Sequence, residues 1–416
     1  MKKYFEIILF VVVLGFVGVA KTQQSEPVPY VIMVSFDGFR HDYVEKFDAP
    51  NLKAFINEGV AAEAMIPSYP SKTFPNHYTL VTGLYPDHHG LVDNTFYDKD
   101  LDLQYSIGNR ERVENPAFYG GLPLWQLVQQ NGMKSASYFW VGSEAPVAGE
   151  FPTYYHQYDG SVPNEDRVEA VINWLKLPET ERPHFISLYF SLVDDAGHDN
   201  GPDHEETGKA VQEADRILGL LKSGVDELDL PVDIILVSDH GMEPIYPKRE
   251  NFIVLGDLMD KIGNPNARVI NNGSHAHIYL NENDNAQEII NRLSKDAKNY
   301  QAYLKSELPE HMHYGTHERI GDIVIVVEPG HSISTESRIN YGMENPTTRG
   351  AHGFDPYATE NMGAIFYASG PSFKKGLKIE KFENVNVYPL VAETLRLKNI
   401  PKVDGDLKVL RKTLNP

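Results

Sequence analysis

The chain has 416 residues, of which 41% are hydrophobic and 23% are charged, and it contains no cysteine. This composition is far from that of disordered proteins, and the absence of thiolates excludes iron–sulfur clusters, cysteine-ligated zinc and cysteine nucleophiles. The formal net charge of -20 argues against a nucleic-acid-binding surface, although a bound metal could still attract a small anionic substrate.

The first twenty residues predict a signal peptide. Lys2 and Lys3 precede the apolar run IILFVVVLGFVGVA, and the small residue Ala20 stands at its exit. The run is short for a membrane span, which favours cleavage over the alternative of an uncleaved N-terminal anchor. We therefore expect an exported protein, periplasmic or extracellular, with no membrane contact beyond such an anchor.

Three apolar, β-branched runs predict buried strands, and each run leads to an aspartate. PYVIMVSFDGF reaches Asp37, HFISLYFSLVD ends near Asp194, and VDIILVSDHG ends at Asp239. The segment between the last two runs has the apolar spacing of a helix, and APNLKAFINEGV predicts another helix that Gly59 ends. This alternation predicts parallel strands, whose carboxyl ends are the usual place for a ligand.

The composition changes between about residue 250 and residue 345, where Asn, Gly and charged residues are frequent and DIVIVVE is the one clear strand. We interpret this stretch as an inserted α+β cap, after which the main fold resumes at RGAHGFDPYATENMGAIFYASGP. The predicted fold class is therefore α/β, with a mostly parallel central sheet flanked by helices and a small inserted α+β cap.

Aspartates and histidines at the predicted strand-to-loop junctions form a candidate metal site. Asp194 and His198 are four residues apart, which places both on one face of a helical turn. Oxygen and imidazole ligands without sulfur suit Zn²⁺, and also Mn²⁺ or Mg²⁺. The full candidate set is Asp37, Asp194, His198, Asp239, His240 and His352.

Five further histidines are alternative metal ligands. His275 and His277 lie two residues apart in SHAHIYL, and HMHYGTH contains His311, His313 and His317. Residues two apart on a strand share a face, so either group could bind a metal. Because no predicted strand ends in an aspartate beside them, we expect these histidines to be surface or cap residues.

The stretch PSKTFPNHYTLVTG, residues 70–83, has two interpretations. In the first, a loop enters a helix, Thr73 caps the helix, and Pro75 lies in the first turn. In the second, the Thr73 hydroxyl lies at the positive end of the helix, where an anion would bind. The stretch alone does not decide between a capping group and a chemical group.

Five motifs together resemble the nucleotide pyrophosphatase/phosphodiesterase family of the alkaline phosphatase superfamily. They are VSFDGFR, PSKTFPNHYTLVTGLYPDHHGLVDNTFYD, GHDNGP, SDHGM and GAHGFD, in the order and at about the distances found in the family. The resemblance extends over about residues 29 to 400. It implies an alkaline phosphatase-like fold, with a catalytic domain over residues 29–410 that includes the cap insertion at about 250–345.

The resemblance also implies roles for particular residues. Thr73 would be the nucleophile, Asn94 would help to hold the phosphoryl oxygens, and Phe74 and Tyr158 would stack a nucleotide base. The implied cofactor is a pair of Zn²⁺ ions, one held by Asp37, Thr73, Asp239 and His240, the other by Asp194, His198 and His352. The implied reaction is hydrolysis of nucleotide phosphodiester or pyrophosphate bonds, which releases a nucleoside 5′-monophosphate through a phospho-threonine intermediate.

The sequence departs from the family pattern at two places, and other functions stay open. Ser191-Leu192-Val193 replaces a common Glu-Glu-Pro run, and His331 replaces a common tryptophan in the cap, which leaves the leaving-group preference open. We expect a stand-alone catalytic domain, as in bacterial members. The alternatives are a zinc phosphodiesterase acting on phosphocholine or lysophospholipid head groups, a monoesterase, a sulfatase suggested by SYPSK, and a binding protein on an inactive enzyme fold. The oligomeric state is not predicted.

Overall fold

The computed structural model describes residues 28–416, so the predicted signal peptide over residues 1–20 lies outside the described residues. In chain order the strands are β1 (Tyr30–Phe36), β2 (Val60–Ala62), β3 (Met65–Ile66), β4 (Thr95–Asp98), β5 (Leu103–Ser106), β6 (Lys134–Tyr138), β7 (Tyr154–His156), β8 (Pro183–Phe190), β9 (Val232–Val237), β10 (Glu243–Ile245), β11 (Phe252–Val254), β12 (Arg268–Asn271), β13 (His275–Tyr279), β14 (Tyr300–Leu304), β15 (Ile323–Val327), β16 (Ser332–Ser334), β17 (Arg349–Ala351), β18 (Phe366–Ser369), β19 (Leu377–Ile379) and β20 (Phe382–Glu383).

The α-helices alternate with these strands over most of the chain. They are α1 (Tyr43–Lys46), α2 (Pro50–Glu58), α3 (Thr73–Thr82), α4 (Pro86–His89), α5 (Arg110–Val113), α6 (Leu124–Gln130), α7 (Asn164–Leu175), α8 (Leu192–Asn200), α9 (Glu205–Asp226), α10 (Leu255–Ile262), α11 (Ala286–Ser294), α12 (Glu336–Glu344), α13 (Val387–Thr394) and α14 (Leu407–Leu410). Within residues 28–416, no helix combines the length and the apolar character needed to cross a membrane.

An eight-stranded sheet forms the centre of the molecule, in the order β19-β2-β18-β9-β1-β8-β6-β7. Strand β1 lies parallel to both β8 and β9, and β6 is parallel to β8 and β7. Strand β18 runs antiparallel to its two neighbours, β9 and β2. The predicted mostly parallel α/β sheet is confirmed.

Both faces of this sheet are buried, which explains why β1 is apolar at every position except Ser35. Along β1, Val31 and Met33 pack into one core cluster, while Ile32, Val34 and Phe36 pack into the other. Helices α3, α6 and α13 cover the first face, and α2, α7 and α9 cover the second. Each fully buried aliphatic side chain contributes about 1.5–3 kcal/mol, so this double-sided core fixes the sheet on which the site is built.

The carboxyl ends of the three central strands meet at one edge of the sheet. Strand β1 stops one residue before Asp37, and β9 stops two residues before Asp239. Strand β8 stops at Phe190, and Asp194 lies instead in the first turn of α8. The predicted spacing argument holds there, because the helix places Asp194 and His198 one turn apart.

A second, antiparallel sheet occupies the part of the chain that the sequence predicts to be a cap. Its order is β12-β13-β15-β14, and α10 and α11 pack on it through a separate apolar cluster. The sheet is short and mixed with helices, in agreement with the predicted α+β character. The residue limits of the cap and of the catalytic domain stay predictions.

Candidate active site

Thr73 is the first residue of α3, so its hydroxyl lies at the N-terminal end of that helix. Its Oγ1 lies 3.3 Å from Nε2 of His240, which belongs to the loop after β9. The residue at the N-cap position is Lys72, whose side chain makes no capping hydrogen bond. The structure therefore contradicts the capping interpretation of Thr73 and places its oxygen against a histidine from another strand.

A buried asparagine holds the loop that leads to Thr73. The Nδ2 of Asn76 donates to the carbonyl oxygens of Ser68, Pro70 and Lys72, and its Oδ1 accepts from the Ser68 amide. These four hydrogen bonds satisfy backbone groups that a buried loop would otherwise leave unpaired. The position of Thr73 is thus set by side-chain hydrogen bonds as well as by the helix.

Three predicted ligand histidines share one hydrogen-bond pattern. The Nδ1–H of His198 donates to the Gly350 carbonyl at 2.8 Å, that of His240 to Gly241 at 2.9 Å, and that of His352 to Ser71 at 2.9 Å. A neutral imidazole carries one ring proton, so Nε2 of each ring keeps a free lone pair. This tautomer is the one that metal-binding histidines need.

The free Nε2 atoms point at one another and at carboxylates. Nε2 of His352 lies 3.1 Å from Nε2 of His198, which lies 3.5 Å from Oδ2 of Asp194. Nε2 of His240 lies 2.9 Å from Oδ2 of Asp239 and 3.6 Å from Oδ1 of Asp37. Lone pairs that converge in this way repel unless a cation lies between them.

The carboxylates of this site keep buried oxygens that have no hydrogen-bond partner. Among the described residues these include Oδ1 of Asp37, Oδ1 of Asp194 and Oδ2 of Asp239. Unpaired buried oxygens are costly in a folded protein, and ligation of a metal removes the cost. The orphaned oxygens and the histidine tautomers together fit a metal site.

Burial changes the acid strength of these groups. It raises the pKa of Asp37 well above its usual value, and the nearby charges of Asp239 and Asp194 add to the effect. Burial and the charge of Asp194 likewise raise the pKa of Asp239. Burial and the neighbouring His240 lower the pKa of His352. Carboxylates so placed need a compensating positive charge to stay ionised at neutral pH.

The ligand atoms of the predicted residues, joined by one further histidine, His77, fall into overlapping groups with separations within 4.8 Å: Asp194, His198 and His352; Asp37, Asp194 and His240; and Asp37, Asp239 and His77. The structure thus brings together all seven predicted metal positions, which we call the Thr73 cluster: Asp37, Thr73, Asp194, His198, Asp239, His240 and His352. Gly38 has a φ of +66°, and a Cβ there would lie 2.9 Å from Asp194. Glycine is therefore needed for the β1 loop to approach α8.

His77 and Tyr189 contact this cluster but had not been singled out from the sequence. The Tyr189 hydroxyl donates to Oδ2 of Asp37 at 2.6 Å and so orients that carboxylate. His77 donates through Nδ1 to the Thr73 carbonyl at 2.9 Å, and its Nε2 accepts from the Ser35 hydroxyl at 2.7 Å. Since both ring nitrogens of His77 are hydrogen-bonded within the protein, we infer that His77 connects α3 to β1.

Asn94 lies next to Thr73, as the family resemblance implies. Its Oδ1 accepts the backbone N–H of Phe74 at 2.9 Å. Within residues 28–416, Nδ2 of Asn94 has no hydrogen-bond partner, so it is available to donate to a ligand. The hydrogen bond from Phe74 to Oδ1 thus orients the Asn94 side chain and leaves its Nδ2 free to contact a ligand.

A cleft of about 460 Å³ opens beside the Thr73 cluster, and Phe74 and Tyr158 are both in its wall. The Tyr158 ring is 45% exposed, and its backbone N–H donates to Glu144, which also pairs with Arg110. The other lining residues include Phe139, Trp140, Val141, Tyr189, Ser191 and Asp195. The cleft therefore offers exposed aromatic surface to a ligand whose charged end reaches the cluster.

Of the two expected places, surface or cap, His275 and His277 occupy the second: they lie in β13 of the cap sheet, and both are fully buried. Their Nε2 atoms contact the carboxylate of Asp93, 2.5 Å and 3.1 Å from Oδ2. The one local signal for this contact is that Asp93 stands directly before Asn94 in the chain. His311 and His313 are exposed and His317 is partly buried, in agreement with the expectation.

Comparison with known proteins adds an independent finding. The family model "Type I phosphodiesterase / nucleotide pyrophosphatase" matches residues 31–355. A venom phosphodiesterase of Macrovipera lebetinus is 38% identical over 382 residues, which cover 89% of this chain and 44% of the relative. Human ectonucleotide pyrophosphatase/phosphodiesterase family member 1 is 37% identical over 388 residues, which cover 90% of this chain and 40% of the relative. The chain thus spans less than half the length of these curated relatives.

Solved structures match over the full length of their chains. Murine ectonucleotide pyrophosphatase/phosphodiesterase 5, an inactive threonine-to-alanine variant in complex with AMP, gives a TM-score of 0.85 at 31% identity, covering 93% of this chain and 100% of that one. The human counterpart gives the same score, identity and coverage. On the extent of these matches, the chain belongs to the type I phosphodiesterase/nucleotide pyrophosphatase family, in the alkaline phosphatase superfamily.

Proposed function

We propose that this chain is a two-zinc phosphodiesterase that hydrolyses nucleotide phosphodiester or pyrophosphate bonds and releases a nucleoside 5′-monophosphate. The observation that carries the proposal is the position of Thr73. Its hydroxyl oxygen lies at the N-terminus of α3 and 3.3 Å from a histidine nitrogen that is free to bind a metal. A hydroxyl in that environment is placed to act as a nucleophile.

The residues that would hold the two Zn²⁺ ions are those of the Thr73 cluster: Asp37, Thr73, Asp239 and His240 for one, and Asp194, His198 and His352 for the other. When bound, zinc supplies a Lewis acid that lowers the pKa of a ligated hydroxyl and offsets phosphoryl charge. This local positive charge also explains how a protein with a net charge of -20 would bind a nucleotide.

The chain's own groups account for the remaining steps. Thr73 Oγ1 forms a bond to the α-phosphorus while the bond from phosphorus to the leaving oxygen breaks, and the hydroxyl proton passes to water. Water then attacks the phospho-threonine, and the bond between phosphorus and Thr73 breaks, which regenerates the hydroxyl. Asn94 Nδ2 donates to a non-bridging phosphoryl oxygen, where negative charge accumulates.

Phe74 and Tyr158 would bind the nucleoside part of the substrate. Both line the cleft beside Thr73, and stacking on an aromatic ring is typically worth about 1–3 kcal/mol per base. The murine relative is described in complex with AMP, which supports a nucleotide as the ligand of this chain. The "ecto" designation of the relatives likewise supports the proposal that the protein is exported, to the periplasm or the exterior.

The test compares three chromogenic substrates on the purified protein loaded with zinc. These are the p-nitrophenyl ester of thymidine 5′-monophosphate, p-nitrophenyl phosphate and p-nitrophenylphosphorylcholine. We expect the highest kcat/KM on the nucleotide ester and a loss of at least 10⁴-fold in kcat for Thr73→Ala, the size seen when a nucleophile is removed. The Thr73→Ala protein should also accumulate no phosphoprotein on acid quenching.

Three outcomes would overturn this proposal. A preference for the phosphorylcholine ester would assign the site to phosphocholine or lysophospholipid head groups, and a preference for p-nitrophenyl phosphate would assign it to monoesters. Retention of wild-type turnover by Thr73→Ala would remove the threonine from the mechanism. Bound zinc, measured in the same samples by elemental analysis, separates a loss of the nucleophile from a loss of metal.

A further inference from the structure

A buried carboxylate outside the Thr73 cluster accepts hydrogen bonds from three side chains, two in β13 and one in the loop between β12 and β13. Oδ2 of Asp93 lies 2.5 Å from Nε2 of His275, 2.7 Å from Nδ2 of Asn272 and 3.1 Å from Nε2 of His277. The Asp93 and both histidine side chains are fully buried. We call Asp93, Asn272, His275 and His277 the Asp93 clamp.

The composition of the clamp resembles a metal site, but its hydrogen bonds exclude that use. Nδ1 of His277 accepts the backbone N–H of Gly321 at 3.2 Å, so the ring proton of neutral His277 is on Nε2. That Nε2–H donates to Asp93 and the Tyr314 hydroxyl. A protonated nitrogen cannot bind a cation, and the contact between Asp93 and His275 is closer than two ligand atoms of one tetrahedral cation would be.

The other oxygen of the carboxylate holds the next residue in the chain. Oδ1 of Asp93 accepts the backbone N–H of Asn94 at 2.7 Å. The Asn94 carbonyl accepts the N–H of Ile107 at 3.1 Å, and its side-chain Oδ1 accepts the N–H of Phe74. Asn94 is thus held by hydrogen bonds at its backbone N–H, its backbone carbonyl and its side-chain oxygen. These bonds fix the direction in which its Nδ2 points.

A second branch of the same network reaches the loop before Thr73. The carbonyl of Asn272 accepts from Nζ of Lys72 at 3.0 Å, and the same Nζ donates to the His352 carbonyl at 2.8 Å. Nδ2 of Asn272 also donates to the Thr95 carbonyl at 3.2 Å. Asn272, in the loop between β12 and β13, therefore contacts both the Lys72 side chain and the segment that contains Asn94.

Charge favours this arrangement. The hydrogen bonds and the two histidines hold the pKa of Asp93 well below its usual value, despite full burial. Burial lowers the pKa of His275. An ionised carboxylate that receives four donors is a strong, directional anchor, because hydrogen bonds to a charged acceptor are about twice as strong as neutral ones.

We propose that Asp93 is a positioning residue for the reaction, and that the Asp93 clamp uses the second sheet to fix the direction of the Asn94 amide toward the phosphoryl oxygens. The proposal rests on the proposed function, because it requires Asn94 to donate to the substrate. It extends that function because the second sheet would help to stabilise the transition state by orienting Asn94. The clamp residues themselves would contact neither substrate nor metal.

A kinetic double-mutant cycle tests the proposal on the zinc-loaded protein. Asn94→Ala should lower kcat on the thymidine nitrophenyl ester by about 10²–10³-fold, as expected when one oxyanion donor is lost. Asp93→Asn should lower kcat by about 10-fold or more, with KM and bound zinc nearly unchanged. If Asp93 acts through Asn94, the double variant should be no slower than Asn94→Ala alone. Multiplied losses in the double variant, or an unchanged kcat in Asp93→Asn, would overturn it.

A second pair of variants keeps the test decisive if Asp93→Asn folds poorly. In His275→Gln the side-chain amide can still donate near the position of Nε2, whereas His275→Leu cannot. We expect kcat per folded molecule to stay within about threefold of wild type in His275→Gln and to fall about 10-fold in His275→Leu. Equal kcat values in the two variants would contradict the proposal, since the donor to Asp93 is what distinguishes them.

His89→Gln is the matched control. His89 is as buried as His275, and its ring bonds to the Thr79 hydroxyl and the Leu91 amide, neither of which belongs to the clamp. It should change thermal stability but not kcat. Thr73→Ala is measured in the same series: if it keeps turnover, the proposed function fails, whereas an inactive Thr73→Ala beside a fully active Asp93→Asn refutes the clamp alone.

Discussion

The Thr73 cluster and the Asp93 clamp are built from the same types of side chain, but only the first leaves atoms free to bind a metal. Both join buried aspartates to histidines, yet the second ring nitrogen has a different partner in each. In the Thr73 cluster Nδ1 donates to a backbone carbonyl, as in His352, which leaves Nε2 bare. In the clamp, Nδ1 of His277 accepts a backbone N–H, which places the proton on Nε2. The partner of Nδ1, and not the burial of the ring, therefore decides whether a histidine can bind a metal.

The carboxylates differ in the same way. Asp37 and Asp239 keep unpaired buried oxygens and have a raised pKa, whereas every oxygen of Asp93 is hydrogen-bonded and its pKa is lowered. The first arrangement is electrostatically incomplete without a cation, and the second is complete within the protein. The difference teaches that a group of aspartates and histidines should be judged by its unsatisfied atoms.

Removal of metal should separate the two regions most clearly. Chelation should lower kcat by about 10³-fold or more, because a bound metal supplies several kcal/mol of transition-state stabilisation and each 1.4 kcal/mol is a factor of ten. Added Zn²⁺ should restore turnover, and elemental analysis should return two ions per chain. His352→Ala should bind less zinc than wild type, while His277→Gln should bind the same amount. Equal zinc loss in both variants would break the comparison.

The two regions should also respond with opposite signs when one carboxylate is neutralised in metal-free protein. Asp93→Asn should lower the free energy of unfolding by about 3–5 kcal/mol, because it removes one partner of a buried charged network. Asp239→Asn should be neutral or stabilising, because a raised folded pKa means that the ionised carboxylate opposes folding at neutral pH. Urea unfolding at pH 7 after chelation measures both values. If Asp93→Asn and Asp239→Asn lowered the free energy of unfolding by similar amounts, the two clusters would not differ electrostatically.

The smallest effect should come from the cleft, outside both clusters. Phe74→Ala and Tyr158→Ala should each raise KM for the thymidine ester by about 5- to 150-fold, corresponding to about 1–3 kcal/mol for one stacked base. Their KM for p-nitrophenyl phosphate should change little, since that substrate has no base. Steady-state kinetics on the two substrates give the change in KM for each. An equal rise in both KM values would show that the two rings support the Thr73 cluster and do not bind the base.

The aspartates and histidines of the Thr73 cluster could be singled out because their signals are local, whereas the place of Thr73 among them came from the family resemblance. Each of Asp37 and Asp239 follows a strand that is apolar on both faces, and a helical spacing joins Asp194 to His198. The end of β8 was predicted too late, since the apolar residues after Phe190 belong to the first turn of α8. A run of apolar residues reports burial but does not distinguish the end of a strand from the start of a helix.

The Asp93 clamp could not be predicted in the same way. Asp93 and His275 are 182 residues apart in the chain, and each comes from a segment that by itself resembles a polar loop or cap edge. Their burial follows from the packing of the second sheet against the loop before β4, which no periodicity encodes. His77 was missed for the same reason, because its role depends on Ser35 in another element.

The hydrogen bond from His198 to the Gly350 carbonyl joins α8 to β17, which lies 152 residues later. Synthesis proceeds from the N-terminus, so neither this bond nor the last ligand exists until residue 352 has left the ribosome. A nascent or truncated chain that lacks β17 has only part of the coordination sphere. A metal site that needs His352 can therefore be completed only after β17 has been made, so metal uptake would follow folding of this later part of the chain.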